Sequence, residues 1–382
     1  MRRSMRDNAR TGRSPTVVSR ASMATMTACQ KSFFGQRRAA PRDTNMSSRR
    51  IVYLNGRFVP EHEARLSIYD TSLTTGDMAF EVTRTIKGEP FRLRHHLERL
   101  AHTLAVLRID PGLSLDELEA ITHETLARNR PTEAGDVDWN IINNVSRGPA
   151  SSFAGAFSPD EMRPTVVVSC FPLVEKLAAL ADAYGVGLDL VVPSQRAIPS
   201  ELLDATIKTR SRLHYHQAAY QAEDRLPGAS AVLVDPDGHL TEGTTGNVFL
   251  VRGGVLETPE PRNLLVGVTR GVVLELAARE GIPTREANLT IDDARAAEEV
   301  FLTSTSIGIL HGRSFEGRSV GNGSVGPITR RLRDAFSREV GLDFAEQARA
   351  YARRLAKQRG VAAAAAPRVE GESPAEGGLE PD

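Results

Sequence analysis

Short strand-like runs joined by tight turns are interleaved with helical periodicity along this chain, and this pattern constrains the fold most. Asn55-Gly56 separates two apolar runs, and both residues tolerate the positive φ of a two-residue hairpin. Asp235–Gly238 is a second hairpin signal, whereas leucines recur at helical spacing across His95–Leu107. Because hairpins and helices alternate irregularly, the sequence predicts a mixed α/β (α+β) fold rather than a doubly wound parallel sheet.

The predicted elements divide the chain into two domains flanked by two loose ends. We expect a small α/β domain over 50–172, a linker over 173–182 and a larger domain over 183–345. Residues 1–48 are basic and rich in serine, which predicts a disordered extension or, alternatively, a transit peptide. Residues 355–382 combine an alanine run with proline, glycine and acidic residues, and they are expected to be a disordered tail.

Composition excludes several classes of protein. Forty-eight basic residues balance 48 acidic ones, so the charge favours neither nucleic acid nor an anionic membrane as a partner. Cys29 and Cys170 offer neither a disulfide framework nor the spacing of a metal site, and we expect no metal. No apolar run reaches the roughly 20 residues that a membrane helix needs. The sequence therefore predicts a cytoplasmic enzyme or binding protein, with an organelle transit peptide as the alternative.

Lys208 lies in an unusually cationic stretch, with Arg210, Arg212 and His214 close behind it. The pattern predicts a helix over 207–223, and a lone lysine on such a helix is usually a solvated surface residue. Neighbouring positive charge lowers the pKa of a lysine, which a nucleophilic amine requires. The stretch therefore also fits a reactive lysine.

A second chemical signal follows about 60 residues later. Gly267–Thr269 precedes a predicted helix, and the unpaired N–H groups of a helix start, beside a hydroxyl, suit a phosphate. Upstream, Glu242 stands among small residues just before a strand. Taken alone, either segment could be an ordinary loop.

Taken together, these segments resemble the signature of the class IV aminotransferases, the family of the branched-chain enzymes. The resemblance covers about residues 52–345. The positions that match this signature in order and spacing are Glu242, Thr244, Asn247, Val248, Phe249, Thr258, Leu265, Gly267, Val268 and Arg270.

The resemblance implies a fold, a cofactor and a set of residues that hold it. The fold would be the two-domain fold of these enzymes, and the cofactor pyridoxal 5'-phosphate. Lys208, 34 residues before Glu242, would be the Schiff-base lysine and the catalytic acid-base, and Glu242 would face the pyridine nitrogen. The phosphate would be bound by Arg99 in the His96-x-x-Arg99-Leu100 element, by the N–H groups of Val268 and Thr269, and by Thr305.

The family contains several branches, and the substrate follows by elimination among them. Arg147-Gly148 is present, but 149–154 lacks the Arg-x-His that traps carboxylate in the D-amino-acid enzymes. Thr75 and Leu213 replace tyrosines that are typical of the branched-chain enzymes, and Glu81 counts against the lyases. We predict transamination of branched-chain L-amino acids with 2-oxoglutarate. Aminodeoxychorismate lyase, D-amino-acid aminotransferase and R-amine aminotransferase are the alternatives within the family.

Three residues are predicted to contact the substrate: Phe80, Arg147 and Ser306. The resemblance also implies a homodimer, whose ligands are an amino acid and a 2-oxo acid. An alternative from a different class is a non-catalytic protein that retains the fold.

Overall fold

The computed structural model describes residues 50–133 and 135–365, and it leaves the side chains of 359 and 361–365 undescribed. The extension predicted over 1–48 and most of the tail predicted over 355–382 lie outside the described residues. Within them, strands form two sheets and helices pack around both.

An antiparallel six-stranded sheet contains the first strands of the chain, in the order β2-β1-β6-β5-β3-β4. The predicted Asn55-Gly56 hairpin joins its first two strands, and the φ angles of 47° and 90° are those that the turn requires. Its strands are β1 (Ile51–Leu54), β2 (Arg57–Pro60), β3 (Met78–Ile86), β4 (Glu89–Pro90), β5 (Trp139–Ser146) and β6 (Thr165–Pro172).

A mixed sheet contains the remaining strands, in the order β12-β11-β10-β13-β14-β7-β8-β9 with β15 on β14. Strand β9 also pairs with β10, so six strands form a closed ring. Three strand pairs are parallel and the others antiparallel, as the hairpin signals predict. The strands are β7 (Leu188–Val191), β8 (Ser230–Val234), β9 (Leu240–Gly243), β10 (Asn247–Arg252), β11 (Val255–Pro259), β12 (Thr284–Ala287), β13 (Glu299–Ser304), β14 (Gly308–Phe315) and β15 (Arg318–Ser319).

The helices bury leucine-rich faces on these sheets. The second one places Leu97, Leu100 and Leu104 in the core, and the third begins with the predicted Ser114–Glu117 capping box. The helices are α1 (Thr71–Thr74), α2 (Leu93–Leu107), α3 (Leu115–Asn129), α4 (Val174–Ala178), α5 (Ala183–Val186), α6 (Leu213–Arg225), α7 (Val268–Arg279), α8 (Ile291–Arg295), α9 (Pro327–Val340) and α10 (Phe344–Ala365).

The segment around Lys208 is extended, not helical as the sequence pattern predicts. The Phe80 N–H donates to the Lys208 carbonyl at 3.0 Å, and the Arg210 N–H donates to the Met78 carbonyl at 2.9 Å. Residues 208–210 therefore pair with β3, and α6 begins only at Leu213. Because tertiary hydrogen bonds replace those of a first helical turn, this local propensity is overridden. Lys208 is thereby held beside the first sheet.

The last helix corrects the predicted boundary of the tail. Helix α10 continues to Ala365, beyond position 355, because alanine is the best helix former and the run 362–365 extends the helix. Its first half is fixed to the first sheet: Gln347 donates to Asp138 at 2.6 Å, and the Tyr351 hydroxyl accepts from the Asp138 N–H at 2.8 Å. The division into domains at 172 and 183 stays a prediction.

Candidate active site

A cavity lies between the extended Lys208 segment and the mixed sheet. Four segments form most of its wall: 203–215, the turn 242–247, the start of α7 and the turn 303–305, with Arg99 reaching in from α2. Six of the residues predicted for the site line it, namely Lys208, Arg99, Glu242, Val268, Thr269 and Thr305.

The amine of Lys208 is tuned by its surroundings. Burial lowers the pKa of Lys208 to about 7, and the nearby Arg99 guanidinium acts in the same direction, whereas Glu81 opposes it. The Lys208 N–H donates to the Thr103 hydroxyl at 3.1 Å, which fixes the backbone at this point. A substantial fraction of this amine is therefore neutral at physiological pH, as a nucleophile or general base must be.

Glu242 faces the same cavity from β9. Burial raises the pKa of the Glu242 carboxyl, while the Tyr215 hydroxyl, Arg212 and Lys208 act against that rise. The Tyr215 hydroxyl donates to Oε1 at 2.5 Å, and the backbone of Glu242 pairs with Asn247 on β10. The carboxyl is thus fixed in direction and lies within electrostatic reach of Lys208.

Arg99 is oriented by a buried carboxylate. Its Nε and Nη2 donate to the two oxygens of Glu81 at 2.6 and 2.8 Å, and Nη1 donates to the Val266 carbonyl at 2.8 Å. Burial acts to raise the pKa of Glu81, but Arg99 and His96 outweigh it and lower that pKa to about 2. In the sequence, Glu81 serves only to distinguish branches of the family. In the structure it anchors the arginine predicted to bind phosphate.

Small residues and unpaired donors form an anion cradle at one end of the cavity. Gly267 is the N-cap of α7 and supplies no side chain, so the first N–H groups of the helix are not capped by it. A Cβ at Gly267 would lie 2.2 Å from the Asn247 Oδ1. Thr303 lines the cavity, and its hydroxyl is buried and has no hydrogen-bond partner. Together with Arg99 and Thr305, these donors fit a phosphate group.

Phe80, one of the three predicted substrate contacts, is buried and does not line the cavity. Its ring centroid lies 5.0 Å from the Lys208 Nζ and 3.8 Å from the Arg210 Cζ. The structure therefore makes Phe80 a support for the cationic segment, through cation–π contacts, and its role as a substrate contact stays a prediction.

Arg147 also lies away from the cavity. Its Nη2 and Nη1 donate to the carbonyls of Leu107 and Arg108 at the end of α2, at 2.7 and 3.0 Å, and its Nε donates to Asp77 at 2.8 Å. A cation at a helix C-terminus is stabilising. The structure thus places Arg147 at the end of α2, and its role as a substrate contact stays a prediction.

The side chain of Ser306 faces away from the cavity as well. Its hydroxyl accepts from the Lys176 Nζ at 2.9 Å and donates to the Asn140 Oδ1 at 3.2 Å. Thr303, Ser304 and Thr305 line the cavity, whereas Ser306 does not. Which side of a turn faces a cavity depends on contacts with distant residues, and the sequence pattern could not distinguish the two positions.

Tyr215 and Thr303 are site residues that the sequence analysis missed. Tyr215 lies seven residues after Lys208, two positions into α6, and its only sequence signal is this proximity. Thr303 lies at the end of β13, two residues before Thr305. Because residues two apart along a strand face the same side, Thr303 could have been predicted to face the cavity together with Thr305.

The family to which the chain belongs follows from a match that spans this cavity. Residues 78–315 match the family model for amino-transferase class IV. The chain belongs to the class IV aminotransferases. Enzymes of this class depend on pyridoxal phosphate and catalyse transamination, so the prediction of an aminotransferase is confirmed.

Individual class IV aminotransferases agree with this assignment. The chain is 34% identical over 290 residues to a putative branched-chain-amino-acid aminotransferase of Methanocaldococcus jannaschii, covering 75% of this chain and 94% of the relative. The crystal structure of the Escherichia coli branched-chain amino acid aminotransferase superposes with a TM-score of 0.68 at 28% identity, covering 75% and 93% of the two chains.

A third relative carries a cofactor derivative. The T.th. branched-chain amino acid aminotransferase, solved with N-(5'-phosphopyridoxyl)-L-glutamate, superposes with a TM-score of 0.68 at 26% identity and covers 76% of this chain and 94% of that chain. The predicted mixed α/β fold of the family is therefore confirmed. Among the described residues of this class IV aminotransferase, no helix is long and apolar enough to cross a membrane.

Proposed function

We propose that this class IV aminotransferase binds pyridoxal 5'-phosphate on Lys208 and transfers the amino group of branched-chain L-amino acids to 2-oxoglutarate. The observation that carries the proposal is the convergence of Lys208, Glu242 and Arg99 on one cavity that ends in an anion cradle. The similar enzymes described above are branched-chain amino acid aminotransferases. A non-catalytic relative would have no physical need for a buried lysine whose pKa is lowered to about 7.

Each end of the cofactor has residues that suit it. Arg99, Thr303, Thr305 and the N–H groups of Val268 and Thr269 would bind the phosphate. Glu242 would face the ring nitrogen, and Lys208 would form the covalent link. When bound, the cofactor supplies an electron sink and carries the amino group.

Lys208 also moves the proton that the reaction requires. Once the substrate amine has replaced it on the cofactor, the Nζ takes the proton from the substrate α-carbon and returns it at the other end of the transfer. A pKa of about 7 suits both directions, because a base works best when its pKa lies near the working pH.

The substrate carboxylate has two candidate partners. The turn 304–307, closed by the Ile307 N–H donating to the Ser304 carbonyl at 3.3 Å, offers backbone N–H groups near Thr305. Arg212 lines the cavity, and its Nη2 donates to the Thr244 carbonyl. With the Ser306 hydroxyl engaged elsewhere, the backbone of the turn and the Arg212 guanidinium are the groups that support binding of an α-carboxylate.

Half-reaction spectra test the proposed substrates. Addition of L-Leu, L-Ile, L-Val or L-Glu to the holoenzyme should convert the bound cofactor to its amine form. D-Ala and aminodeoxychorismate should leave the spectrum unchanged. Conversion by D-Ala but not by L-Leu would contradict the proposal and move the protein to the D-amino-acid branch. Pyruvate release from aminodeoxychorismate would move it to the lyases.

We also propose that the protein is a homodimer. Leu66, Ile68 and Leu73 are 46%, 67% and 68% exposed in one surface region, where the Tyr69 and Phe153 ring centroids lie 4.6 Å apart. An exposed apolar patch of this kind favours a protein interface. Analytical ultracentrifugation of wild type and of Ile68→Asp tests this: wild type should sediment as a dimer and the variant as a weaker one. A cytoplasmic location stays a prediction.

A further inference from the structure

The Glu242 carboxylate accepts from the backbone of Leu265 and, more strongly, from the Tyr215 side chain, which lies outside the family signature. The Tyr215 hydroxyl donates to the Glu242 Oε1 at 2.5 Å, across 27 positions of sequence. Both side chains line the cavity. An O–H donor at this distance from a carboxylate forms a charge-assisted hydrogen bond, which is stronger than one between neutral groups.

The direction of the proton in this contact is fixed by the surroundings. Burial raises the pKa of Tyr215 well above its usual value of 10, and Glu242 raises it further, so the phenol stays protonated and donates. Burial also raises the pKa of Glu242, and the Tyr215 hydrogen bond is the largest influence that opposes it. The phenol therefore favours the ionised form of the carboxylate.

The ring of Tyr215 is itself fixed in place. The Arg212 Cζ lies 4.2 Å from the ring centroid, and the His214 ring lies 3.9 Å from it. The Arg212 Nη2 in turn donates to the Thr244 carbonyl in the turn that follows Glu242. The first turn of α6 and the turn 242–247 are thereby joined at two points, so the hydroxyl has little freedom to leave the carboxylate.

We propose that Tyr215 is a positioning residue for Glu242: its hydroxyl holds Oε1 and keeps the carboxylate ionised, which leaves Oε2 to hold a proton on the ring nitrogen of the cofactor. This rests on the proposed function. One proton is shared between two sites, the ring nitrogen and Glu242. Tyr215 favours the nitrogen, where the charge makes the ring a better electron sink. Without Tyr215, the buried carboxyl takes that proton, the nitrogen becomes neutral and removal of the α-proton slows.

The test measures the ring nitrogen directly. Holoenzyme is prepared with ¹⁵N-labelled pyridoxal phosphate, and the ¹⁵N chemical shift of the ring nitrogen is compared between wild type and Tyr215→Phe. We expect the variant to shift toward the neutral nitrogen, and kcat to fall on the order of tenfold, as loss of a hydrogen bond to a charged group does. An unchanged ¹⁵N shift in Tyr215→Phe would overturn the inference.

Two variants separate positioning from general loss of stability. Tyr351 is a buried phenol outside the cavity wall, and its hydroxyl accepts a hydrogen bond from the Asp138 N–H at 2.8 Å. Tyr351→Phe removes that bond and should leave the ¹⁵N shift unchanged. In a Glu242→Gln background, Tyr215→Phe should have no further effect on kcat, because the two residues act as one unit. Additive effects would indicate a merely structural role and overturn the inference.

A near-isosteric replacement covers the case in which Tyr215→Phe does not fold. With 3-fluorotyrosine at position 215 the phenol is a stronger hydrogen-bond donor of nearly unchanged shape, and the ¹⁵N shift should move toward that of the protonated nitrogen. Movement in the opposite direction, or no movement, would overturn the inference.

Borohydride reduction distinguishes failure of this inference from failure of the proposed function. If wild type yields no cofactor adduct on Lys208, the proposed function fails and the inference with it; an adduct with an unresponsive ¹⁵N shift overturns the inference alone.

Discussion

Arg99 and Glu81 are joined by two parallel hydrogen bonds, Nε to Oε1 at 2.6 Å and Nη2 to Oε2 at 2.8 Å, with the carboxylate fully buried. Arg99 lines the cavity, whereas Glu81 does not. The proposed binding of phosphate by Arg99 would therefore depend on a residue outside the cavity wall.

Glu81→Gln should weaken both stability and cofactor binding. Breaking a buried ion pair by neutralising one partner costs about 3–5 kcal/mol, and Arg99 loses its orientation as well. Urea unfolding and reconstitution of apoenzyme with pyridoxal phosphate measure the two effects. Glu89→Gln, at an exposed pair with Arg130, is the matched control and should change neither. Unaltered cofactor affinity in Glu81→Gln would contradict the assigned role.

The same pair predicts a response to acid. The folded pKa of Glu81, about 2, lies below its ordinary value of 4.5, so its stabilising contribution is fully present above pH 4.5 and is lost as the pH falls toward 2. Wild type should lose stability more steeply than Glu81→Gln between these limits. Equal slopes in unfolding experiments across this range would refute the prediction.

Lys208 predicts a rise of stability with pH in the apoenzyme as well, but in a more alkaline range. Burial lowers its pKa from 10.5 to about 7, so between these values the unfolded chain binds more protons than the folded one, and stability rises with pH. Lys208→Met should reduce that rise, measured by urea unfolding of apoenzyme between pH 7 and 10. The exposed Lys357→Met is the control. A wild-type profile no steeper than that of Lys208→Met would argue against a buried, neutral amine.

Glu242→Gln should retain some cofactor but lose on the order of 3 kcal/mol of transition-state stabilisation, because a neutral amide does not hold the charge on the ring nitrogen. Single-turnover kinetics with L-Leu measure this loss. Glu299→Gln offers a matched control, since Glu299 is also buried but accepts hydrogen bonds from Ile328 and Thr329 at the start of α9. Turnover near that of wild type in Glu242→Gln would remove Glu242 from the mechanism.

Gly267→Ala should impair cofactor binding, because the added Cβ would lie 2.2 Å from the Asn247 Oδ1 and the helix start would have to move. Gly271→Ala in the same helix is the matched control. Its Cβ meets nothing within 4 Å, and we expect it to stabilise the protein by roughly 0.5–1 kcal/mol. The dissociation constant of pyridoxal phosphate is measured for both variants. Equal affinities would argue against phosphate binding at this helix start.

Arg147→Met tests the predicted substrate contact. The Arg147 side chain is 44% exposed and donates to carbonyls at the end of α2, so we expect a loss of less than about 1 kcal/mol and a KM for L-Leu that stays within about twofold of wild type. Steady-state kinetics at saturating 2-oxoglutarate measure the KM. A large rise in KM with unchanged stability would assign Arg147 to the substrate site.

The sequence by itself indicated the family and the candidate site residues. Lys208, Glu242, Arg99 and the Gly267–Thr269 helix start are predictable because they match, in order and spacing, the signature of the class IV aminotransferases. The hairpins and amphipathic helices are likewise predictable, since turn residues and apolar periodicity act over a few positions.

Only the tertiary structure decided how those groups are oriented. The extended pairing of 208–210 with β3 replaces a predicted helix, and Ser306 turns toward Asn140 instead of the cavity. The Tyr215–Glu242 and Glu81–Arg99 contacts join residues 27 and 18 positions apart. Burial, hydrogen-bond direction and the pKa of each group arise from neighbours that the fold brings together, and no local pattern of residues specifies them.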